Sequence, residues 1–502
     1  MSATVNEVTK ESLEHLASEE LRRIASIRSE GRDLSNRERL AIPTQDMPCQ
    51  DSGARSGNML EVAEGYSEAQ ARIEAERCLN CKNAPCVAGC PVRVDIPGFI
   101  VKIREGDYKG AARVIKRTNL LPSICGRVCP QESQCQAPCT LGKSLKSVDL
   151  AVQIGRLERW VADNERACGA CDIPDVGNSS GKLVAVVGSG PAGLTCAIDL
   201  RREGHEVVVY EAFQKTSGVM VYGIPEFRLP KRLVAMESDL LSEMGVRYEL
   251  NFLVGRTRKL HALLAEDGFD AVFIGAGAGL PKFMDMPGEN LVGVFSANEY
   301  LTRANLMKAY DRGRAATPIY PSRRVAVLGG GNVAMDSARM ALRLGAEEVH
   351  VLYRRTRAEM PARAEEVVHA MEEGIHFDFL TSPTRVIGSK EGRAESLEII
   401  SFALGDADAS GRRSPVAIKG SERIEAFDTV IVAIGNESNP LLARTTPDLN
   451  VDKRGHILVD GKQKTSIDRV YAGGDIVLGA ATVILAMGEG RRAAAAINEL
   501  LA

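Results

Sequence analysis

Two segments of the 502-residue chain repeat one pattern, and that repeat limits the fold more than any other feature. "LVAVVGSGPAGLTCAIDLRREGHEVVVYE" (183–211) and "RVAVLGGGNVAMDSARMALRLGAEEVHVLYR" (324–354) each read as an apolar strand, a glycine turn, a helix and a second strand. Parallel strands joined by a helix need a sheet with helices packed on its faces. Two such units predict two Rossmann-like dinucleotide-binding domains in an α/β chain. The length leaves room for a further domain.

In the first unit the strand at 183–187 runs directly into Gly188. Gly188 permits the tight turn, Gly190 lets backbone approach a pyrophosphate, and Gly193 lets the helix pack close to the strand. Pro191 and Ala192 complete the loop. The helix N-terminus that follows offers free N–H groups and the positive end of its dipole to phosphates. Glu211 ends the second strand, where a carboxylate binds an adenosine ribose hydroxyl. NAD and FAD both fit this loop. "TSIDRVYAGGDIVLGAATVILAMGEGRRAA", from Thr465, resembles the second flavin signature of disulfide-reductase-like flavoproteins. That resemblance assigns FAD to the first loop and adds Gly474, Asp475 and Thr482 to its site, with Gly218 and Gly223 between the two signatures.

The second loop has G-x-G-x-x-A at Gly329, Gly331 and Ala334, with Asn332 and Val333 opening the helix. The matching strand ends at Tyr353 and is followed by Arg354 and Arg355. A carboxylate there would repel a 2′-phosphate, whereas guanidinium groups bind it by charge-assisted hydrogen bonds. The arginine pair therefore predicts NADP(H), with Arg357 and Arg363 as further candidates. Hydride transfer between nicotinamide and flavin needs stacked rings and excluded water rather than a catalytic acid or nucleophile. The sequence has no Ser-His-Asp or metallohydrolase pattern, and no catalytic side chain is assigned.

Eight of the 12 cysteines fall between Cys78 and Cys139. Cys78, Cys81, Cys86 and Cys90 are spaced C-x2-C-x4-C-x3-C-P; Cys125, Cys129, Cys135 and Cys139 are spaced C-x3-C-P-x4-C-x3-C. By ferredoxin logic the first three hold one [4Fe-4S] cluster and Cys90 crosses to a second. Structural zinc is an alternative, and a disulfide framework suits a reducing compartment poorly. Cys168 and Cys171 form a lone C-x-x-C pair in a linker and read as incidental thiols. Cys49 stands alone, and Cys196 sits on the helix after the first loop.

The order of cysteine block, flavin loop, NADPH loop and closing flavin motif resembles the NADPH-dependent glutamate synthase small (beta) subunit family. That family includes the large subunit of NADH-dependent reduced ferredoxin:NADP oxidoreductase. The resemblance rests on "RCLNCKNAPCVAGCPVRVDIPGFI", "CGRVCP", "VYGIPEFRLPK", "GGGNVAMDSARMALRLGA" and "YRRTRAEMPARAEE". It implies that a carboxylate in "VQIGRLERW", Glu158, replaces one cysteine ligand. Cluster one is then Cys78, Cys81, Cys86 and Cys139; cluster two is Cys90, Cys129, Cys135 and Glu158; Cys125 is left over. The chain departs from the family at Ser217, where a glycine is usual, and "GNESNP" (435–440) is looser than the family's turn.

The implied architecture is a helical extension (1–70), a helical iron–sulfur domain (71–171), an FAD domain in two parts (182–315 and 430–502) and an inserted NADPH domain (316–429). Leu13, Leu16, Leu21, Ile24 and Ile27 recur at helical spacing in the extension. The implied partner is a large glutamate synthase subunit. The alternative is a small flavin and iron–sulfur subunit of an electron-bifurcating enzyme, possible ferredoxin contact included. A redox sensor that binds the cofactors without turnover is a third reading, which NADPH:dye reductase activity would dismiss. The formal net charge of -3 argues against nucleic acid or an anionic membrane as partner. The absence of a signal-like or spanning apolar run makes cytoplasmic localisation the expectation.

Overall fold

The computed structural model describes residues 10–169, 172–311, 313–407, 411 and 413–502. Cys171 lies outside the described residues. Two five-stranded parallel sheets carry the two repeats. The first is ordered 470–472, 271–274, 183–187, 206–210, 247–249, so the segment near the C-terminus returns beside the strands of the first repeat. Its central strands are apolar along their whole length, as strands covered on both faces must be. The second is ordered 294–296, 429–432, 324–328, 348–353, 376–379.

This pairing moves the expected domain boundaries. The strand Val294–Ser296 belongs to the second sheet and the helix Ala297–Asn305 packs into its core, and Thr429–Val432 lies between that strand and Arg324–Leu328. A glycine loop marks the first strand of a repeat but says nothing of an edge strand recruited from before it. The two units join through a short antiparallel ladder, Leu280–Pro281 with Asn436–Glu437, within the loose "GNESNP" segment. Between residues 381 and 426 the described residues form strands with no helix between them. The strands Thr381–Gly388, Ala394–Ala407, Arg413–Ala417 and Arg423–Ala426 form an antiparallel sheet. Its Val386, Leu397 and Ile399 cover one face of the second parallel sheet in place of a crossover helix.

The cysteine block is helical, with short helices punctuated by proline at their first turns. The helix Lys10–Ser29 packs on Glu68–Glu76, burying Leu13, Ala17 and Ile24; Leu16 instead faces outward at 61% exposure. Residues 49–63 cross from the cysteine domain to the second dinucleotide domain. There Arg55 meets Glu372 at 2.6 Å and Glu373 at 3.1 Å, and Arg343 donates to the Asn58 carbonyl at 3.0 Å.

Glu373 is the hub of this junction. It accepts from Arg339 (2.6 Å), Arg343 (2.7 Å) and Arg55, all with almost no exposed side chain. Burial pushes its carboxyl up, but the donors on Arg339 and Arg343 outweigh burial and hold it down at about 2. Removing one partner of a buried ionic cluster costs about 3–5 kcal/mol. Glu373→Ala should therefore destabilise the protein by that order in urea titration. Because the folded value is depressed, the stabilisation is present above the unfolded value near pH ~4.3. It is lost as pH falls towards about 2. The stability gap between wild type and Glu373→Gln should close over that interval.

Candidate functional site

The first glycine loop has the geometry its sequence demands. Gly188 sits at φ 99°, and a Cβ there would stand 2.5 Å from the Gly275 carbonyl oxygen. Gly190 caps the helix Pro191–Arg202, and nothing lies within 4 Å of where its Cβ would be. That open space above a helix N-terminus is where a pyrophosphate approaches. Glu211 is buried at the end of the second strand. One carboxylate oxygen accepts from Ser189 N (3.0 Å) and Ser189 Oγ (2.5 Å), the other from Phe213 N (2.9 Å). A carboxylate has about four lone-pair positions, so capacity remains for a ribose hydroxyl.

Ser217, the departure from glycine, takes φ 81°, the left-handed region that glycine favours. Its N–H donates to Ser189 Oγ at 2.9 Å, which ties the strained turn to the loop. A non-glycine residue in this region costs about 1–2 kcal/mol. Ser217→Gly keeps the backbone bond, so it should stabilise the holoprotein by about 1 kcal/mol, less the entropy glycine gains on unfolding. Gly218 follows at φ 53°, with its Cβ position 3.1 Å from Gly190 Cα. Gly223 ends the helix Val219–Tyr222, and Asn305 Nδ2 donates to its carbonyl at 3.3 Å.

The closing segment meets this loop across the sheet. A Cβ on Gly474 would lie 2.9 Å from Ala192 Cβ. Burial pushes the Asp475 carboxyl up to about 6, against a lowering bond from the Ala481 N–H. Burial also pushes the Tyr222 hydroxyl up to about 12, with the Asp475 and Glu211 charges adding to it. Thr482 caps the helix Val483–Leu501; its Oγ accepts from Leu485 N (3.3 Å) and from Gln134 Nε2 of the cysteine domain (3.2 Å).

In the second loop, Gly329 has φ 138° and a Cβ there would meet the Ala433 oxygen at 2.4 Å. Gly331 caps the helix Asn332–Arg343, and Ala334 is fully buried beneath it. Val333 is exposed at the mouth, and Asn332 Oδ1 accepts from Arg363 N at 2.9 Å. Arg354 is exposed at the strand end; Arg355 Nε donates to the Arg413 carbonyl at 2.8 Å. Arg357 is also exposed. Arg363 turns to the Arg127 carbonyl (2.9 Å), Gln131 (3.1 Å) and Glu365 (3.1 Å), so it ties this loop to the cysteine domain.

Sequence spacing alone missed several residues here. The Tyr353 ring lies 2.7 Å from where a Gly330 Cβ would be, which explains the third glycine. Arg228 binds Asp336 with 2.6 and 2.8 Å contacts and Glu366 at 3.1 Å, tying the "FRLPK" loop to the NADPH helix. The adjacent Phe227 ring carries the Arg343 and Arg339 guanidinium groups at 3.9 and 4.8 Å. Only the proximity of Arg and Asp in two unrelated motifs could have signalled this clasp.

The cysteines separate into two neighbouring cavities. Cys78, Cys81, Cys86 and Cys139 line one; Cys90, Cys125, Cys129, Cys135 and Glu158 line the other; Ile96 and Ile154 stand in the wall of both. None of the described cysteines is in a disulfide. Among the described residues no three or more His, Cys, Asp or Glu side chains close on a single ion. The donors instead surround a volume, and the rest of each lining is largely apolar. That suits a four-iron cluster, with one ligand at each corner, better than zinc. Burial pushes the Cys86 thiol up to about 12, with Cys78 and Cys139 next among its causes, and the Cys90 thiol up to about 11. Glu158 is 9% exposed rather than a surface carboxylate. Burial raises it to about 7, against the hydrogen bond from Asn119 Nδ2. Asn119 was not foreseen, and no local motif announces it.

The fold and these sites define a nicotinamide-dependent flavoprotein with an iron–sulfur domain attached. Residues 182–498 match the model of the pyridine nucleotide-disulphide oxidoreductase family, and residues 55–170 match that of dihydropyrimidine dehydrogenase domain II, 4Fe-4S cluster. A solved structure of Mycobacterium tuberculosis FprA in complex with NADPH shares the fold, with TM-score 0.53 and 19% identity over 63% of this chain and 84% of that one. Among proteins of known sequence, the glutamate synthase [NADPH] small chains of Halomonas elongata and Escherichia coli are each 36% identical, over 92% and 91% of this chain and 97% of each of theirs. The NADP(+)-dependent formate dehydrogenase subunit beta of Moorella thermoacetica is 38% identical over 83% of this chain and 60% of its own length. The chain thus belongs to the NADPH-dependent glutamate synthase small-chain family of pyridine nucleotide-disulphide oxidoreductases. It is an oxidoreductase of FAD, NADP(H) and [4Fe-4S] clusters. Among the described residues no helix is long and apolar enough to cross a membrane.

Proposed function

We propose that this chain is the NADPH-oxidising small subunit of a glutamate synthase, passing electrons from NADPH through FAD and two [4Fe-4S] clusters to a large, glutamine-hydrolysing partner. When bound, the cofactors supply hydride transfer from nicotinamide to flavin and one-electron transfer onward. The protein positions them. Gly188, Gly190, Pro191, Ala192 and Gly193 hold the flavin pyrophosphate against a helix N-terminus, Glu211 takes the ribose, and Asp475 and Thr482 close the site. Gly329, Gly331, Asn332, Val333 and Ala334 hold the second pyrophosphate, with Arg354 and Arg355 on the 2′-phosphate. Cys90, Cys129, Cys135 and Glu158 hold the cluster nearer the flavin; Cys78, Cys81, Cys86 and Cys139 hold the one nearer the surface.

One observation carries the route. The helix Val483–Leu501, capped in the flavin-closing segment, lends Ile484 to the wall of the Cys90 cavity, which shares Ile96 and Ile154 with the Cys78 cavity. Two cysteines of that cavity, Cys81 and Cys86, are partly exposed, against Cys90 alone in the other, which supports docking of a partner on that side. Anaerobic purification of the native complex, with every copurifying chain identified by mass spectrometry, tests the reading. A large glutamine amidotransferase chain is expected. A small flavin and iron–sulfur subunit in its place would favour the ferredoxin-linked alternative, which the similarity to NADP(+)-dependent formate dehydrogenase subunit beta keeps in view. Glu158→Ala is expected to change one cluster's EPR signal; both signals unchanged would remove Glu158 from the ligand set.

A further inference from the structure

The two sulfur-lined cavities differ in a countable way. The Cys78 cavity offers four cysteines for the four corners of a cluster. The Cys90 cavity offers five donors, Cys90, Cys125, Cys129, Cys135 and Glu158. One of them is in excess, and its surroundings say which and what it does.

Cys125 lies on the helix Pro122–Val128, one turn before Cys129, so the two sulfurs project from the same face. It is 1% exposed. Its Sγ is 3.5 Å from Sδ of Met487, itself fully buried on the helix that leaves the flavin-closing segment. The same thiol shares the cavity wall with the Cys129 sulfur, one helical turn away. Cys125 therefore stands between a ligand sulfur and the flavin helix, with a rotatable S–H and two sulfur acceptors. Glu158 is oriented into the cavity by Asn119.

A thiolate bound to iron carries charge, and a thioether does not. The S–H rotor therefore favours the ligand sulfur once a cluster is in place, because charge-assisted hydrogen bonds are the stronger ones. Hydrogen bonds to cluster sulfurs help set the reduction potential. Donation withdraws electron density from the ligand and makes the cluster easier to reduce. We propose that Cys125 is not a ligand but a positioning residue: its thiol donates to Cys129, raises the potential of the cluster nearer the flavin, and so favours electron entry from the flavin. This rests on the ligand assignment proposed above.

The test is redox titration of anaerobically purified holoprotein followed by EPR, with iron counted per chain, for wild type, Cys125→Ala and Cys125→Ser. Cys125→Ala should keep both clusters and lower the midpoint potential of one, leaving the other unmoved. Cys125→Ser restores a donor and should bring that midpoint back towards the wild-type value. Loss of a cluster in both variants, with both clusters retained in Glu158→Ala, would make Cys125 a ligand and overturn the proposal. Two unchanged midpoints in Cys125→Ala would overturn it as well, leaving the thiol as packing. Wild-type protein purified without iron would overturn the underlying cluster reading itself, a separate and recognisable failure.

Discussion

Gly193→Val should yield protein that retains its iron but purifies with little or no flavin. A Cβ at this position would lie 1.9 Å from the Gly188 carbonyl oxygen and 3.2 Å from Val186 Cγ1. The first atom is backbone, so no rotamer relieves the overlap. Either the helix Pro191–Arg202 withdraws from the strand or the loop opens, and both dismantle the pyrophosphate cradle. The helix is pinned from the other side as well, since a Cβ on Gly490 would meet the Ala192 oxygen at 2.2 Å. Overpacking of about 3 kcal/mol charged to the bound state is roughly a 100-fold loss of affinity. Absorbance of the purified protein, with iron counted in the same sample, reads the result. Gly190→Ala is the contrasting case. Its Cβ enters open space, so the fold should be untouched, but the methyl occupies the approach of the pyrophosphate and flavin affinity should still fall. Equal flavin content in wild type and Gly193→Val would refute the assignment of this loop.

The second large effect concerns cofactor choice. Replacing both Arg354 and Arg355 by alanine should raise KM for NADPH by roughly 10- to 100-fold and leave KM for NADH nearly unchanged. Hydrogen bonds to charged groups contribute about 1.5–3 kcal/mol each, and 1.4 kcal/mol is tenfold in affinity. The lower end is expected if Arg355 remains partly committed to the Arg413 carbonyl, as it is at 2.8 Å. Arg354, exposed at the strand end, should then account for most of the change. Single and double variants assayed with both nucleotides in an NADPH:dye reductase reaction separate the two contributions. A parallel loss with NADH would mean that the substitutions damaged the domain rather than its recognition of the 2′-phosphate.

These expectations divide by how far apart the interacting residues lie in the chain. Both glycine loops, the acid after one and the arginines after the other were legible because a strand, a tight turn and a helix N-terminus are local events. Spacing within a dozen residues determines them. The block of eight cysteines was legible as a cluster-binding segment for the same reason, and the family resemblance divided seven of them between two sets and left Cys125 over.

Other features depend on contacts that no local spacing encodes. Gln134 reaches Thr482 across 348 residues, and Arg55 reaches Glu373 across 318. The outer strand Val294–Ser296 joins the second sheet from ahead of its glycine loop. An antiparallel sheet, rather than a helix, covers one face of that domain. Glu158 looks like any helical carboxylate until the fold buries it beside four cysteines and Asn119. Cys125 looks like a fifth ligand until the flavin helix brings Met487 against it. The sequence alone determined which cofactors the chain can hold, because their cradles are short and backbone-built. Tertiary structure decided how those cradles face one another, because burial and ion pairing between distant segments set their order and spacing.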